Sequence, residues 1–119
     1  MLLSLSAVSL RTSSGARDTE NARANARLAA GEALLAMERY KLALEEYDAC
    51  LDAEPGHLKA SYKRGVCLQR LGRLDEARDH YRQLLATRPQ DAEAWALLGR
   101  IDKDAWVAAW NRPGATPAQ

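Results

Sequence analysis

The sequence predicts an all-α fold of stacked helix–turn–helix units, and three observations carry that prediction. Gly31, Gly65 and Gly99 are evenly spaced (65 − 31 = 34 and 99 − 65 = 34), and Ala43/Ala77, Tyr47/Tyr81, Leu51/Leu85 and Pro55/Pro89 keep the same interval. A fixed period of this size marks a solenoid made from one supersecondary unit. Residues 58–89 read as two amphipathic helices joined by a tight turn at Leu71-Gly72-Arg73. Finally, the hydrophobic fraction of 47% is rich in alanine, with no Phe and only 6% aromatics, which suits closely packed helices better than a thick globular core. One such unit cannot bury its apolar face alone, so neighbours share a core.

Taken in order, Met1–Leu10 is apolar and uncharged, too short to span a bilayer, and without the positive n-region of a signal peptide. Residues 11–17 contain Thr12, Ser13, Ser14 and Gly15 and read as a loop, so 1–17 is expected to be a disordered tail or the end of a preceding element. The first helix is expected from Asp18 or Thr19, either of which can cap it, to Met37, with Leu28, Leu34 and Leu35 on its apolar face and Glu38-Arg39 as the turn. The second runs from Tyr40 to Ala53. Pro55 and Pro89 lack an N–H and bias Glu54 and Arg88 away from helical geometry, which stops the second helix of each unit. The third helix, about His57 to Leu71, is the most basic and ends at Gly72, a residue tolerant of positive φ. The fourth, about Leu74 to Thr87, opens with Asp75-Glu76, which complements the positive helix N-terminus. The fifth runs from Asp91 to Asn111, carries Trp95, Trp106 and Trp110, and is stopped by Pro113-Gly114, leaving 113–119 as a loose end.

The length of 119 residues fits one domain, here residues 18–112. Charged residues make up 28% and the net charge is +1, so no field of one sign is available to hold nucleic acid nonspecifically. No membrane segment is expected. Arginine far outnumbers lysine, which suggests a GC-rich, bacterial genome. Cys50 and Cys67 are not spaced for zinc or for a disulfide framework; they are expected to pack as buried free thiols, which favours a reducing, cytoplasmic setting over a periplasmic or secreted one. No glycine-rich phosphate loop is present. His57 reads as a cap or turn residue, His80 as a surface residue, and Glu45-Glu46 and Asp75-Glu76 as solvated charge. No nucleophile–base–orienter set can be assembled, so no catalytic residue, cofactor or metal ligand is expected and the chain is not read as an enzyme.

The repeated residues resemble those of the tetratricopeptide repeat family, whose unit is a 34-residue helix–turn–helix. One repeat supplies Gly31, Leu34, Tyr40, Ala43, Tyr47, Cys50 and Pro55; the next supplies Gly65, Leu68, Gly72, Ala77, Tyr81, Leu84 and Pro89; a third starts with Trp95, Leu98 and Gly99. The first large position departs from the pattern, being Arg27 and Ser61 before it becomes Trp95. The resemblance covers about 24–110 and implies two and a half repeats (24–57, 58–91 and part of a third, 92–112) in a short right-handed superhelix. It further implies a scaffold or adaptor that grips a peptide or helix on a concave face lined by the first helix of each repeat. Carried over by position, that face comprises Asn25, Leu28, Glu32 and Leu35, then Lys59, Tyr62, Lys63, Val66, Gln69 and Arg70, then Glu93, Ala96, Leu97, Arg100, Lys103 and Asp104. Its middle is basic, with Tyr62 and Val66 as apolar anchors, so the expected partner is a protein segment carrying acidic groups beside an apolar side chain; the competing reading is that these cations only solvate the surface.

Chaperone-binding members of the family hold a C-terminal carboxylate with Lys, Asn, Asn, Lys and Arg. The matching positions here are Leu28, Glu32, Lys63, Glu93 and Leu97, of which one is basic and two are acidic, so that clamp is rejected. Trp106 and Trp110 lie four apart on one helix face. They are read either as an interface, which would make the chain self-associate as a homodimer, or as a cap folded back on the fourth helix. The run 98–106 is similar to a Gly-Arg-apolar-x-Lys-Asp-x-Trp run in multidomain proteins with a TRAFs-binding, repeat-rich region, although Asp102 replaces an aromatic there. That resemblance implies a regulatory piece of a larger signalling protein.

Overall fold

A computed structural model describes residues 2–111, with side chains from Arg17 onward. Among the described residues there are five helices and no strand: α1 (Leu2–Ala36), α2 (Tyr40–Ala53), α3 (Leu58–Arg70), α4 (Leu74–Thr87) and α5 (Ala92–Trp110). The all-α helix–turn–helix class is therefore as expected, and the helix bounds agree within a residue or two except at the start. The helix begins at Leu2, so residues 2–17 do not form the expected loop and tail, and Asp18 and Thr19 lie inside α1 rather than at its cap. The physical reason is the lack of a breaker. No proline interrupts 2–36, Gly15 costs about 1 kcal/mol relative to Ala, and the Ser and Thr residues cost only tenths each. The expected loose end at 113–119 lies outside the described residues.

The chain divides into two compact units, residues 1–60 and 61–119. In the first, α1 packs on α2 around Ala24, Ala43, Tyr47 and Cys50, all fully buried. Gly31 sits where the two helices meet: a Cβ there would lie 2.8 Å from Cε1 of Tyr47. Arg27 on α1 reaches Glu46 on α2 at 3.0 Å. In the second, α3 and α4 repeat the arrangement. A Cβ on Gly65 would collide with Tyr81 at Cζ and Oη. Cys67, Leu68, Ala77 and Tyr81 are fully buried, and the Tyr81 hydroxyl donates to the Tyr62 carbonyl at 2.8 Å. α5 then closes on α4 through Ala94, Leu97, Leu98 and Ile101, with Arg78 on α4 paired to Asp102 on α5 at 3.0 Å.

The turns are built alike from different residues. After α1, Arg39 N–H donates to Leu34 O and Glu38 N–H to Leu35 O; after α3, Arg73 N–H donates to Leu68 O and Gly72 N–H to Gln69 O. Both are Schellman motifs with a left-handed residue in the middle. Gly72 takes φ 78° without cost, whereas Glu38 takes φ 59° with a Cβ in place. The pre-proline residues Glu54 (φ −142°) and Arg88 (φ −134°) leave helical geometry as the prolines require.

Candidate functional site

α3 and α5 each offer one turn of polar side chains to a groove of about 330 Å³. Val66, Gln69 and Arg70 line it from α3, and Arg100, Lys103 and Asp104 from α5. These are equivalent positions one period apart (66 + 34 = 100, 69 + 34 = 103, 70 + 34 = 104). The spacing i, i+3, i+4 puts each trio on one helix face. Gln69 Nε2 donates to Asp104 Oδ2 at 2.5 Å, which ties the two walls together and occupies the carboxylate. Three cations, Arg70, Arg100 and Lys103, then face one acid that is already engaged, and none of the three has a carboxylate partner within ion-pair distance among the described residues. Val66 is half-buried and supplies the apolar wall.

The other sequence-predicted positions have different surroundings. Leu28, Glu32 and Lys59 belong to the first unit, where Lys59 Nζ is 2.7 Å from Glu32 Oε1 and the two charges cancel. Tyr62 and Lys63 are half-buried on α3 but do not line the groove. Tyr62 is committed to structure: its hydroxyl donates to Asp91 Oδ2 at 2.5 Å. Burial, reinforced by that bond, pushes the phenol up to about 12. The same bond holds the Asp91 carboxyl below its ordinary value. Asp91 also caps α5, accepting from Ala94 N–H at 3.1 Å, and receives Arg88 Nε at 3.3 Å. Sequence reasoning misses this hub. The cap is legible as an Asp before the helix, but nothing local connects residues 62 and 91. Leu97, placed on the concave face by position, is buried in the core instead.

Both histidines are structural. His57 caps α3, its Nδ1 accepting from Ala60 N–H at 3.2 Å. His80 is not the surface residue expected from its polar neighbours. It is half-buried, with Nε2 2.6 Å from Ser61 O and Nδ1 3.1 Å from an Arg64 guanidinium nitrogen. A carbonyl only accepts, so Nε2 carries the proton and Nδ1 accepts from Arg64. Cys50 and Cys67 are buried free thiols, and burial pushes the Cys50 thiol up. Among the described residues no group of three His, Cys, Asp or Glu is placed to hold a metal ion, and no helix is long and apolar enough to cross a membrane. Trp106 and Trp110 stack at 5.6 Å with rings 10° from parallel, and they remain 64% and 45% exposed, so they are not folded under α4 as a cap.

Glycine-on-tyrosine helical hairpins at a 34-residue period, closed by Pro and Schellman turns, define a helical-repeat protein of the interaction class. Residues 34–101 match the tetratricopeptide repeat family, and the chain belongs to that family, a non-catalytic fold used for protein–protein interaction. It is 39% identical over 77 residues to the FK506-binding protein-like protein of Homo sapiens, covering 65% of this chain and 22% of that one. It is 43% identical over 54 residues to the Mus musculus counterpart, covering 45% and 16%. The chain thus spans about a fifth or less of the length of these relatives. They are mammalian and give no support to a bacterial source; arginine preference follows base composition, which is not confined to one lineage. Among solved structures it is similar to the second tetratricopeptide repeat domain of human RPAP3, determined in complex with the HSP70 peptide SGPTIEEVD. That similarity has a TM-score of 0.62 and 24% identity over 67% of each chain, and it shows the shared fold.

Proposed function

We propose that this chain is an adaptor module whose α3–α5 groove takes a protein segment carrying side-chain carboxylates beside an apolar residue. The observation that carries this reading is the charge arrangement: Arg70, Arg100 and Lys103 surround a groove walled by Val66, while its one acid is occupied by Gln69. The HSP70 peptide bound by the RPAP3 domain has the same chemistry, with Glu, Glu and Asp beside Ile and Val. The mode differs, because the positions that would clamp a C-terminal carboxylate are Leu28, Glu32, Lys63, Glu93 and Leu97, which include two acids and a core leucine. The groove therefore reads side-chain charge and not a chain end. A reducing, cytoplasmic setting suits its free thiols.

Fluorescence anisotropy with labelled SGPTIEEVD tests this. Amidating the peptide's C-terminus should change affinity by less than about threefold, replacing its two Glu by Gln should weaken binding about tenfold or more, and Arg70→Glu with Arg100→Glu should abolish it. Binding that survives the double charge reversal refutes the groove assignment. A second reading, self-association through the tryptophan-bearing end of α5, is favoured by the exposure of Trp106 and Trp110.

A further inference from the structure

The groove between α3 and α5 carries a charge that one carboxylate does not balance. Arg70, Arg100 and Lys103 bring +3 and Asp104 brings −1, which leaves +2 (3 − 1). The Gln69 amide engages one oxygen of Asp104 and does not alter that sum. The fold does not absorb the cations either. Arg73, Arg78 and Arg88 of the same unit each sit in an ion pair. Among the described residues no carboxylate lies within ion-pair distance of Arg70, Arg100 or Lys103. Residues 112–119, which follow α5, contain one cation, Arg112, and no acidic side chain, so they bring no side-chain counter-charge to the groove.

Two of the three cations are arginines, and they come from opposite walls, Arg70 from α3 and Arg100 from α5. A guanidinium presents a planar fork of N–H donors that engages two oxygens of one anion. A carboxylate has only two oxygens and is filled by one such fork. A phosphate monoester carries about −1.5 to −2 near neutral pH and has three strong acceptor oxygens. It can therefore take a fork from each wall and still accept from the Lys103 ammonium. Its charge also matches the +2 of the groove in a single group. Val66, half-buried on α3, stays available to an apolar side chain beside it.

We propose that the α3–α5 groove takes a phosphoserine or phosphothreonine of a partner protein, with Arg70 and Arg100 on its phosphate oxygens from the two walls, Lys103 beside them, and an apolar neighbour of the phosphorylated residue against Val66. This rests on the groove reading above and adds the class of anion. Fluorescence anisotropy of the full chain with three labelled, C-terminally amidated versions of SGPTIEEVD tests it. The second Glu is replaced by Gln in all three, and the first position is Gln, Glu or phosphoserine. The phosphoserine peptide should bind at least about tenfold tighter than the Glu peptide, and the Glu peptide tighter than the Gln peptide. Arg70→Lys with Arg100→Lys keeps the charge and removes the forks, and should bring the preference for phosphoserine below about threefold. Both arginines are exposed, so circular dichroism melts of that variant should match the wild type. Inorganic phosphate should compete only at concentrations about a hundredfold or more above those of the phosphopeptide, since it lacks the apolar neighbour and the rest of the segment. A Glu peptide that outbinds the Gln peptide while phosphoserine adds less than about tenfold overturns the phosphate and leaves the adaptor groove standing. Three peptides that bind alike, or none that binds, overturn both. A preference that survives the double lysine exchange, or inorganic phosphate that competes as well as the phosphopeptide, overturns the seat between the two arginines.

Discussion

Gly65→Ala isolates the contact on which each repeat depends. The added methyl would occupy the space of Tyr81 Cζ and Oη, and the ring has little freedom to yield: Tyr81 is fully buried and its hydroxyl is held by the Tyr62 carbonyl at 2.8 Å. Overpacking of this kind costs about 1–3 kcal/mol. Moving the ring also forfeits a hydrogen bond worth about 1 kcal/mol. Against these stands a gain of about 1 kcal/mol from replacing a mid-helix glycine. The net is a loss of about 2 kcal/mol, or roughly 10 °C in melting temperature for a domain of this size. Gly31→Ala meets Tyr47 at 2.8 Å without full overlap and should cost less. Gly99→Ala meets nothing among the described residues and should stabilise by about 0.5–1 kcal/mol. Circular dichroism melts and urea titrations measure all three. A Gly65→Ala variant that melts with the wild type refutes the steric account. So does a penalty that persists in a Tyr81→Leu background, where the ring that opposes the methyl is gone.

The remaining predictions concern the turns, the helix contact and the Asp91 hub. Glu38→Gly removes a left-handed Cβ from the first Schellman turn and should stabilise by about 0.5–1 kcal/mol in the same melts; Gly72→Ala should do the reverse. Ala77→Leu adds volume to a fully buried site and should cost about 1–3 kcal/mol. Because the Asp91 carboxyl is held below its ordinary value, foremost by the Tyr62 hydroxyl, its contribution to stability is complete above the unfolded value near 3.8 and is lost as the pH falls through the folded one. Tyr62→Phe should flatten that acid limb. In the wild type the Tyr62 phenol, pushed up to about 12, favours folding below its unfolded value near 10 and loses that contribution as the pH rises through 12; ultraviolet titration should show an ionisation near pH 12 that Tyr62→Phe lacks.

Contacts enforced by period and backbone chemistry are legible in the amino-acid sequence. Gly31 and Gly65 opposite Tyr47 and Tyr81, the Pro55 and Pro89 stops, and the Gly72 turn all follow from residue types at fixed spacing, and the helices fall where those types require. Long side chains are harder to place, since a flexible charge finds its partner through tertiary proximity and not through spacing. By position Lys59 is a groove cation, yet it pairs with Glu32; Tyr62 is an anchor by position, yet Asp91 takes up its hydroxyl; His80 sits among polar neighbours, yet it joins α4 to α3. The start of α1 departs from expectation for a third reason: the stretch before residue 18 carries weak turn preferences and no breaker, and a growing helix overrides preferences of tenths of a kcal/mol.

The same distinction bears on where function can sit. A side chain engaged within the fold is less available to a partner: the Tyr62 hydroxyl is taken up by Asp91, and the charge of Lys59 is offset by Glu32. The groove that is left is set by two trios one period apart, Val66-Gln69-Arg70 and Arg100-Lys103-Asp104. Their backbone positions are equivalent, but their side chains are not, and that inequality leaves net positive charge in the groove. The period therefore builds the walls, and departures from it set the charge between them.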